Sequence, residues 1–179
     1  WVSAKEGKTL AVLNPANGEL LGQVPALSPA ETERAVKAAS VAMSRVTSIE
    51  TRRGWLQRIG DLLLENQEEL GRIITLEHGK PLKEGVGEVA YAAGFFHFFA
   101  TQLNALGKYT YPGPLKDCRW EVHHRPAGVV ASITPWNFPL GMMAKKVPAA
   151  LGCGCAVVAK PASATPLSAI ALARIIEEA

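Results

Sequence analysis

Cysteine is scarce in this sequence of 179 residues: Cys118, Cys153 and Cys155 are its only three. An odd number this small cannot build a disulfide scaffold, and a chain of this length has core enough without one. Reduced thiols in a cytoplasmic compartment are expected. Neither sign of charge dominates: 19 basic against 16 acidic residues leave +3, with the basic residues scattered along the chain. Such scatter argues against the concentrated positive face that nucleic acid requires. No long apolar run suits a bilayer, because the longest uncharged stretch, Pro126 to Ala144, carries Pro135, Asn137 and Pro139 near its middle. The 16 Gly and 12 Pro follow no repeat period. The dinucleotide fingerprint G-x-G-x-x-G is also missing. The dense glycine site Gly152-Cys153-Gly154-Cys155 precedes a strand-like run instead of following one, so it is misplaced for cradling phosphate.

No metal site is expected. Cys153 and Cys155 form a C-x-C pair without further Cys or His at ligand spacing, and His123 and His124 point to opposite sides of an extended segment. The sequence starts at Trp1-Val2-Ser3, with no initiating Met or leader-like segment, and stops at Ile176-Glu177-Glu178-Ala179 within a helical pattern. It is expected to be part of a longer protein.

What is present first is helical grammar. Residues 10–24 combine short apolar runs with the turn signal Asn14-Pro15-Ala16-Asn17-Gly18, which predicts a small hairpin. Ser28-Pro29-Ala30-Glu31 predicts a capped helix start, with Ala35, Val36, Ala39, Met43 and Val46 on one apolar face. A second helix starts near Thr47 to Glu50, with Trp55, Ile59, Leu62 and Leu63 inward. Asn66 is placed to cap a third, carrying Leu70, Ile73, Ile74 and Leu76 until Gly79. Pro81 opens a fourth, running to about Leu106, with an aromatic cluster of Tyr91, Phe95, Phe96, Phe98 and Phe99. Without a basic groove beside the rings, ordinary packing explains them better than base stacking.

The period then changes. Segments 108–114 and 119–125 alternate around a Pro/Gly turn, which predicts two extended strands. Residues 128–133 are a β-branched-rich run, as in a strand buried on both faces of a parallel sheet. Pro139 to Leu151 is helix-like, Cys155 to Ala159 is a second buried strand, and Pro166 to Ala179 is a second helix. The expected fold class is α/β: a helical part over 1–107, a β-hairpin over 108–126, and the first βαβα of a Rossmann-like open parallel sheet over 127–179. Open sheets bind ligands beyond the carboxyl ends of their strands. That places the candidate site on Thr134-Pro135-Trp136-Asn137-Phe138-Pro139 and Lys160-Pro161-Ala162-Ser163-Ala164-Thr165-Pro166.

At these loops the sequence resembles the aldehyde dehydrogenase superfamily. Ile133-Thr134-Pro135-Trp136-Asn137-Phe138-Pro139 matches the family's P-W-N segment, and residues 154–163, ending Lys160-Pro161-Ala162-Ser163, match its second strand and K-P loop. Asn14-Pro15-Ala16-Asn17-Gly18-Glu19 and Thr75-Leu76-Glu77-His78-Gly79-Lys80-Pro81 match upstream, in order. The particular combination is most similar to succinate-semialdehyde dehydrogenases. The resemblance covers essentially the whole chain.

It implies oxidation of an aldehyde to a carboxylate through a thiohemiacetal on a Cys thiolate, with hydride passing to NADP or NAD and a Glu activating water. Asn137 is implied as the catalytic donor to the oxyanion. Ile133, Thr134, Pro135, Trp136 and Asn137 are implied at the nicotinamide end of the cofactor. Lys160, Pro161, Ala162 and Ser163 are implied at the adenosine ribose. Ser163 stands where the superfamily often carries Glu, which removes repulsion against a 2′-phosphate and points to NADP accepted at least as well as NAD. Lys146 aligns with a Lys near the family's catalytic centre, and the adjacent Lys145 leaves that choice open. The nucleophile and the base are expected beyond residue 179, and none of Cys118, Cys153 and Cys155 sits in a catalytic context. Homo-oligomers are implied, joined in part by the hairpin. The alternative is a stand-alone, non-catalytic nucleotide-binding or interaction module.

Overall fold

The computed structural model describes residues 2–5, 7–45 and 47–179. The chain begins with the expected hairpin, β1 (Thr9–Leu13) against β2 (Leu20–Pro25), antiparallel. Its turn is closed by the Asn14 side chain, which accepts from Ala16 N at 2.9 Å, and by Gly18 at φ 74°. Helix α1 (Pro29–Ala42) follows with its capping box: Glu31 Oε2 accepts from Ser28 N at 2.6 Å. The Ser28 hydroxyl first, then the Lys5 and Ser28 main-chain N–H groups, hold the Glu31 carboxyl down at about 2. The expected apolar face of α1 does not reach the core. Ala35 and Val36 are exposed, Ala39 and Met43 half-buried, and Val46 lies outside the described residues. The helix leans on the strands of the parallel sheet rather than on the helical bundle, so most of its stripe has nothing opposite it.

The core lies among α2 (Ile49–Glu65), α3 (Gln67–His78) and α4 (Leu82–Gln102). Leu56, Ile59, Leu63, Ile74, Val89 and Phe96 are fully buried there. Trp55, expected inward, stands on the surface, and Leu56 takes the core position; Leu76 is likewise exposed. Asn66 does not cap α3 with its side chain. Its Nδ2 instead donates to Leu62 O at 2.9 Å and closes α2. Gly79, left-handed at φ 86°, ends α3 as expected. Helices α3 and α4 meet at glycines: a Cβ on Gly71 would lie 2.5 Å from Val86 Cγ2, and one on Gly85 2.5 Å from Gly71 O. The aromatic cluster divides between interior and surface, with Phe96 buried and Tyr91 and Phe98 exposed. Past Gln102 the helix tightens into a 3₁₀ turn over Leu103–Leu106.

Strands β3 (Tyr109–Pro112) and β4 (Arg119–Val122) form the second hairpin, exposed throughout. Strand β5 (Val129–Ile133) then pairs parallel with β6 (Ala156–Lys160), Val129 opposite Ala156 and Ile133 opposite Lys160. The helix-like stretch between them is two short helices, α5 (Gly141–Ala144) and α6 (Val147–Gly152), the second carrying Pro148 in its first turn. Helix α7 (Leu167–Glu178) packs back onto α3 and α2. The strands are less buried than their apolar runs suggest: in β5 only Ser132 is fully buried. Among the described residues β5 and β6 pair only with each other. Among the described residues no helix is long and apolar enough to cross a membrane.

Candidate functional site

Parallel pairing of β5 and β6 puts both carboxyl ends at one edge of the sheet. Thr134 N donates to Lys160 O at 3.2 Å, extending the ladder one step, and Thr165 Oγ1 donates to Trp136 O at 3.5 Å. The two loops singled out in the sequence therefore lie side by side. Ile133 is 69% and Trp136 59% exposed, unusual for large apolar side chains flanking a packed core. Pro135, Asn137, Lys160 and Ser163 are also exposed, and Pro161 and Ala162 are half-buried. Thr134 is buried, and its hydroxyl has no hydrogen-bond partner. Among the described residues Lys160 Nζ reaches only the adjacent Pro161 carbonyl, 3.1 Å away.

Beneath this crevice lies a polar network that joins Glu77 and Lys80, named in the sequence only as part of the Thr75–Pro81 motif, with Glu88, which sequence reasoning did not single out. Lys80 Nζ lies 2.6 Å from Glu88 Oε2 and donates to Asn137 O at 3.1 Å. The other Glu88 oxygen accepts from Leu140 N at 2.9 Å and Gly141 N at 3.0 Å. The α3–α4 turn thus grips the first loop at three main-chain points. Glu77 grips the second: it accepts from Leu167 N at 2.6 Å, Ser168 N at 2.9 Å and the Ser168 hydroxyl, at the start of α7. Burial pushes the Glu77 carboxyl up from its ordinary value, against the pull of these donors. His78 faces Trp136 with ring centroids 5.7 Å apart, and neither of its buried ring nitrogens has a partner. Desolvation, then the charge of Lys80, lowers its pKa. One signal for Glu88 was available, since it stands on the α4 stripe otherwise made of Gly85, Val89, Ala92, Ala93, Phe96 and Ala100.

Held by its main chain, Asn137 keeps its side-chain amide free of hydrogen bonds to the described residues. The next residue, Phe138, lines a cavity of about 470 Å³ whose walls also include Lys80, Glu84, Glu88, Tyr91, Met142 and Lys145. Lys145 Nζ sits 5.4 Å from the Tyr91 ring centroid, and Lys80 Nζ 4.4 Å from that of Phe138. Lys146 turns back to donate to Met142 O at 3.2 Å, so of the adjacent pair it is Lys145 that lines the cavity. No cysteine lies here. Cys118 is at the end of the β3–β4 turn, and Cys153 and Cys155 lie at the opposite ends of the strands. The site therefore offers a neutral donor, the cations Lys80 and Lys145, the carboxylates Glu84 and Glu88 and aromatic walls, with no nucleophilic thiol among the described residues.

The whole chain, residues 1–179, matches the aldehyde dehydrogenase family. The chain belongs to that family. It is 47% identical to a glutarate-semialdehyde dehydrogenase of Pseudomonas aeruginosa, covering 100% of this chain and 38% of that protein. It is 44% identical to the NADP(+) succinate-semialdehyde dehydrogenase of Escherichia coli, covering 98% of this chain and 37% of the relative. The solved structure of succinate-semialdehyde dehydrogenase from Burkholderia pseudomallei superposes with a TM-score of 0.96 at 44% identity, over 99% of this chain and 37% of that one. The chain thus spans little more than a third of the length of these aldehyde dehydrogenases.

Proposed function

We propose that this chain is the N-terminal, cofactor-binding part of an NAD(P)-dependent aldehyde dehydrogenase that oxidises a semialdehyde to the dicarboxylate. The observation carrying this reading is the free Asn137 amide, anchored through its own carbonyl beside a cavity lined by Lys145. A fixed neutral donor stabilises the oxyanion that develops on an attacked carbonyl without giving up a proton. Lys145 supplies a charge for the second, anionic end of the substrate. The aldehydes named in the two semialdehyde dehydrogenases above both carry a carboxylate. The nucleophilic Cys and the general-base Glu belong to a part of the protein outside these 179 residues.

The crevice suits a dinucleotide. The orphaned Thr134 hydroxyl, the exposed Ile133 and Trp136 side chains and the Lys160–Ser163 loop present, on adjacent strand ends, a donor, apolar walls and a cation without a carboxylate. Residues 133–137 would hold the nicotinamide end, and Lys160 to Ser163 the adenosine ribose. When bound, the cofactor accepts the hydride. The chain's own contribution is to orient it: Glu77, Glu88 and Lys80 fix the main chain of both loops, and Lys160 provides charge where a 2′-phosphate would lie. In this reading residues 1–107 buttress the crevice, 127–179 form the first half of the cofactor sheet, and the exposed hairpin over 108–126 joins subunits into a homo-oligomer. A cytoplasmic location suits its free thiols.

The test uses the full-length gene product, assayed with succinate semialdehyde and with butanal, an uncharged aldehyde of equal length. Lys145→Met is expected to raise KM for the semialdehyde at least tenfold (~1.4 kcal/mol) and to leave butanal nearly unchanged. Asn137→Ala is expected to lower kcat for both. Equal effects of Lys145→Met on the two substrates would remove the semialdehyde assignment, and an unaffected kcat in Asn137→Ala would remove the oxyanion role.

A further inference from the structure

At the other ends of the same strands, the fold gathers charges that lie far apart in sequence. Arg45, Arg52, His124 and Arg125 line a cavity of about 370 Å³, together with Met43, Ile49, Leu106 and Cys153. Pro126, which precedes β5, and Gly154, which precedes β6, form its floor. Among the described residues no carboxylate lines it. Arg52 is fixed: its Nε donates to Gly152 O at 2.9 Å, and its Nη1 donates to Thr47 O. Arg45 and Arg125 have neither a hydrogen bond nor an ion pair with any described residue. His124 contacts Gly107 O through Nδ1 at 3.2 Å, and its Nε2 has no hydrogen-bond partner among the described residues.

We infer that this cavity is a binding site for a small, multiply charged oxyanion, a phosphate or dicarboxylate group gripped by Arg45 and Arg125 against the fixed Arg52. The chemistry follows from the donors. Three arginines line one cavity with no carboxylate among its described lining residues, and an oxyanion with two charges would offset their mutual repulsion while accepting paired N–H bonds. One arginine already locked to the main chain lowers the ordering cost of binding. The cavity is larger than a bare phosphate needs, and Met43, Ile49 and Leu106 give it an apolar wall. It therefore suits a small organic anion with a short hydrocarbon body.

Isothermal titration of the full-length protein in its native assembly tests this, with inorganic phosphate and succinate as separate probes and sodium chloride matched for ionic strength. Saturable binding of either probe is expected, and which one saturates identifies the anion type. The doubly substituted Arg45→Gln/Arg125→Gln protein is expected to bind at least tenfold more weakly. Its Tm without ligand should be unchanged, because neither side chain has a partner among the described residues. Bound ligand should also slow alkylation of Cys153 by iodoacetamide relative to Cys118, which locates the site. Absence of saturation by both probes, or saturation that the double substitution leaves intact, overturns the assignment.

Discussion

Lys80 and Glu88 form an ion pair of 2.6 Å with side chains only 7% and 1% exposed, beneath the loop that carries Asn137. The pair does more than neutralise itself. The lysine reaches Asn137 O, and the second carboxylate oxygen takes the N–H groups of Leu140 and Gly141. A short helix such as α5 leaves its first N–H groups without intrahelical acceptors, and here a carboxylate from another helix supplies one. Glu77 does the same for α7. Two carboxylates on the α3–α4 hairpin thus place both of the loops that follow the parallel strands.

Breaking the pair is expected to be costly. Glu88→Ala strands a buried ammonium and two main-chain donors, and should lower stability by about 3–5 kcal/mol, read from the urea midpoint. The double substitution Lys80→Met/Glu88→Leu should recover a substantial part, since no charge is then left buried. A cost for Glu88→Ala below about 1 kcal/mol would show that the pair behaves like a surface one.

The helix contact beneath it depends on glycine at particular places. Gly85→Ala brings a Cβ within 2.5 Å of Gly71 O, a backbone atom that cannot swing aside, and should destabilise the chain by about 1–3 kcal/mol. Gly94→Ala, on the same helix, meets nothing within 4 Å and should instead stabilise by about 0.5–1 kcal/mol. Thermal or chemical melts of the two variants should move in opposite directions. Equal shifts would refute the close approach of α3 and α4.

Glu77 sets a pH dependence whose sign can be stated. Burial raises its carboxyl above 4.5, so between that pH and its folded value the folded chain holds more proton than the unfolded chain. Its contribution to stability is therefore full below 4.5 and is lost as pH rises through the folded value. Glu77→Gln removes the titration and keeps one acceptor. The stability of the original protein relative to this variant should fall from acid toward neutral pH, measured by denaturant titration at several pH values. A difference that is flat, or that grows with pH, contradicts the raised value.

Ser163 is the position to test for cofactor choice. In the full-length protein, Ser163→Glu should shift kcat/KM toward NAD over NADP by at least about tenfold (~1.4 kcal/mol), because in the proposed cofactor site a carboxylate there would repel a 2′-phosphate held near Lys160. An unmoved ratio would mean that discrimination lies elsewhere.

What the sequence by itself determined was local. The Asn14–Gly18 turn, the Ser28–Glu31 cap, the stop at Gly79 and the two parallel strands are each written in neighbouring residues, because turns, caps and periodicity are short-range physics. The paired loops were legible for the same reason, as each follows its strand directly. Tertiary structure decided what depends on residues far apart in the chain. Trp55 and Leu56 are both apolar, and only the bundle selects which faces inward. Glu77 and Lys80 stand in the sequence only as members of the Thr75–Pro81 motif, and what they and Glu88 hold is decided when Asn137, Leu140 and Leu167 arrive from more than fifty residues away. Arg45, Arg52 and Arg125 are scattered in sequence and become one cavity wall only when the strands bring Pro126 and Gly154 together. A buried or gathered charge is stable only with its partners, and partners distant along the chain are set by packing rather than by local pattern.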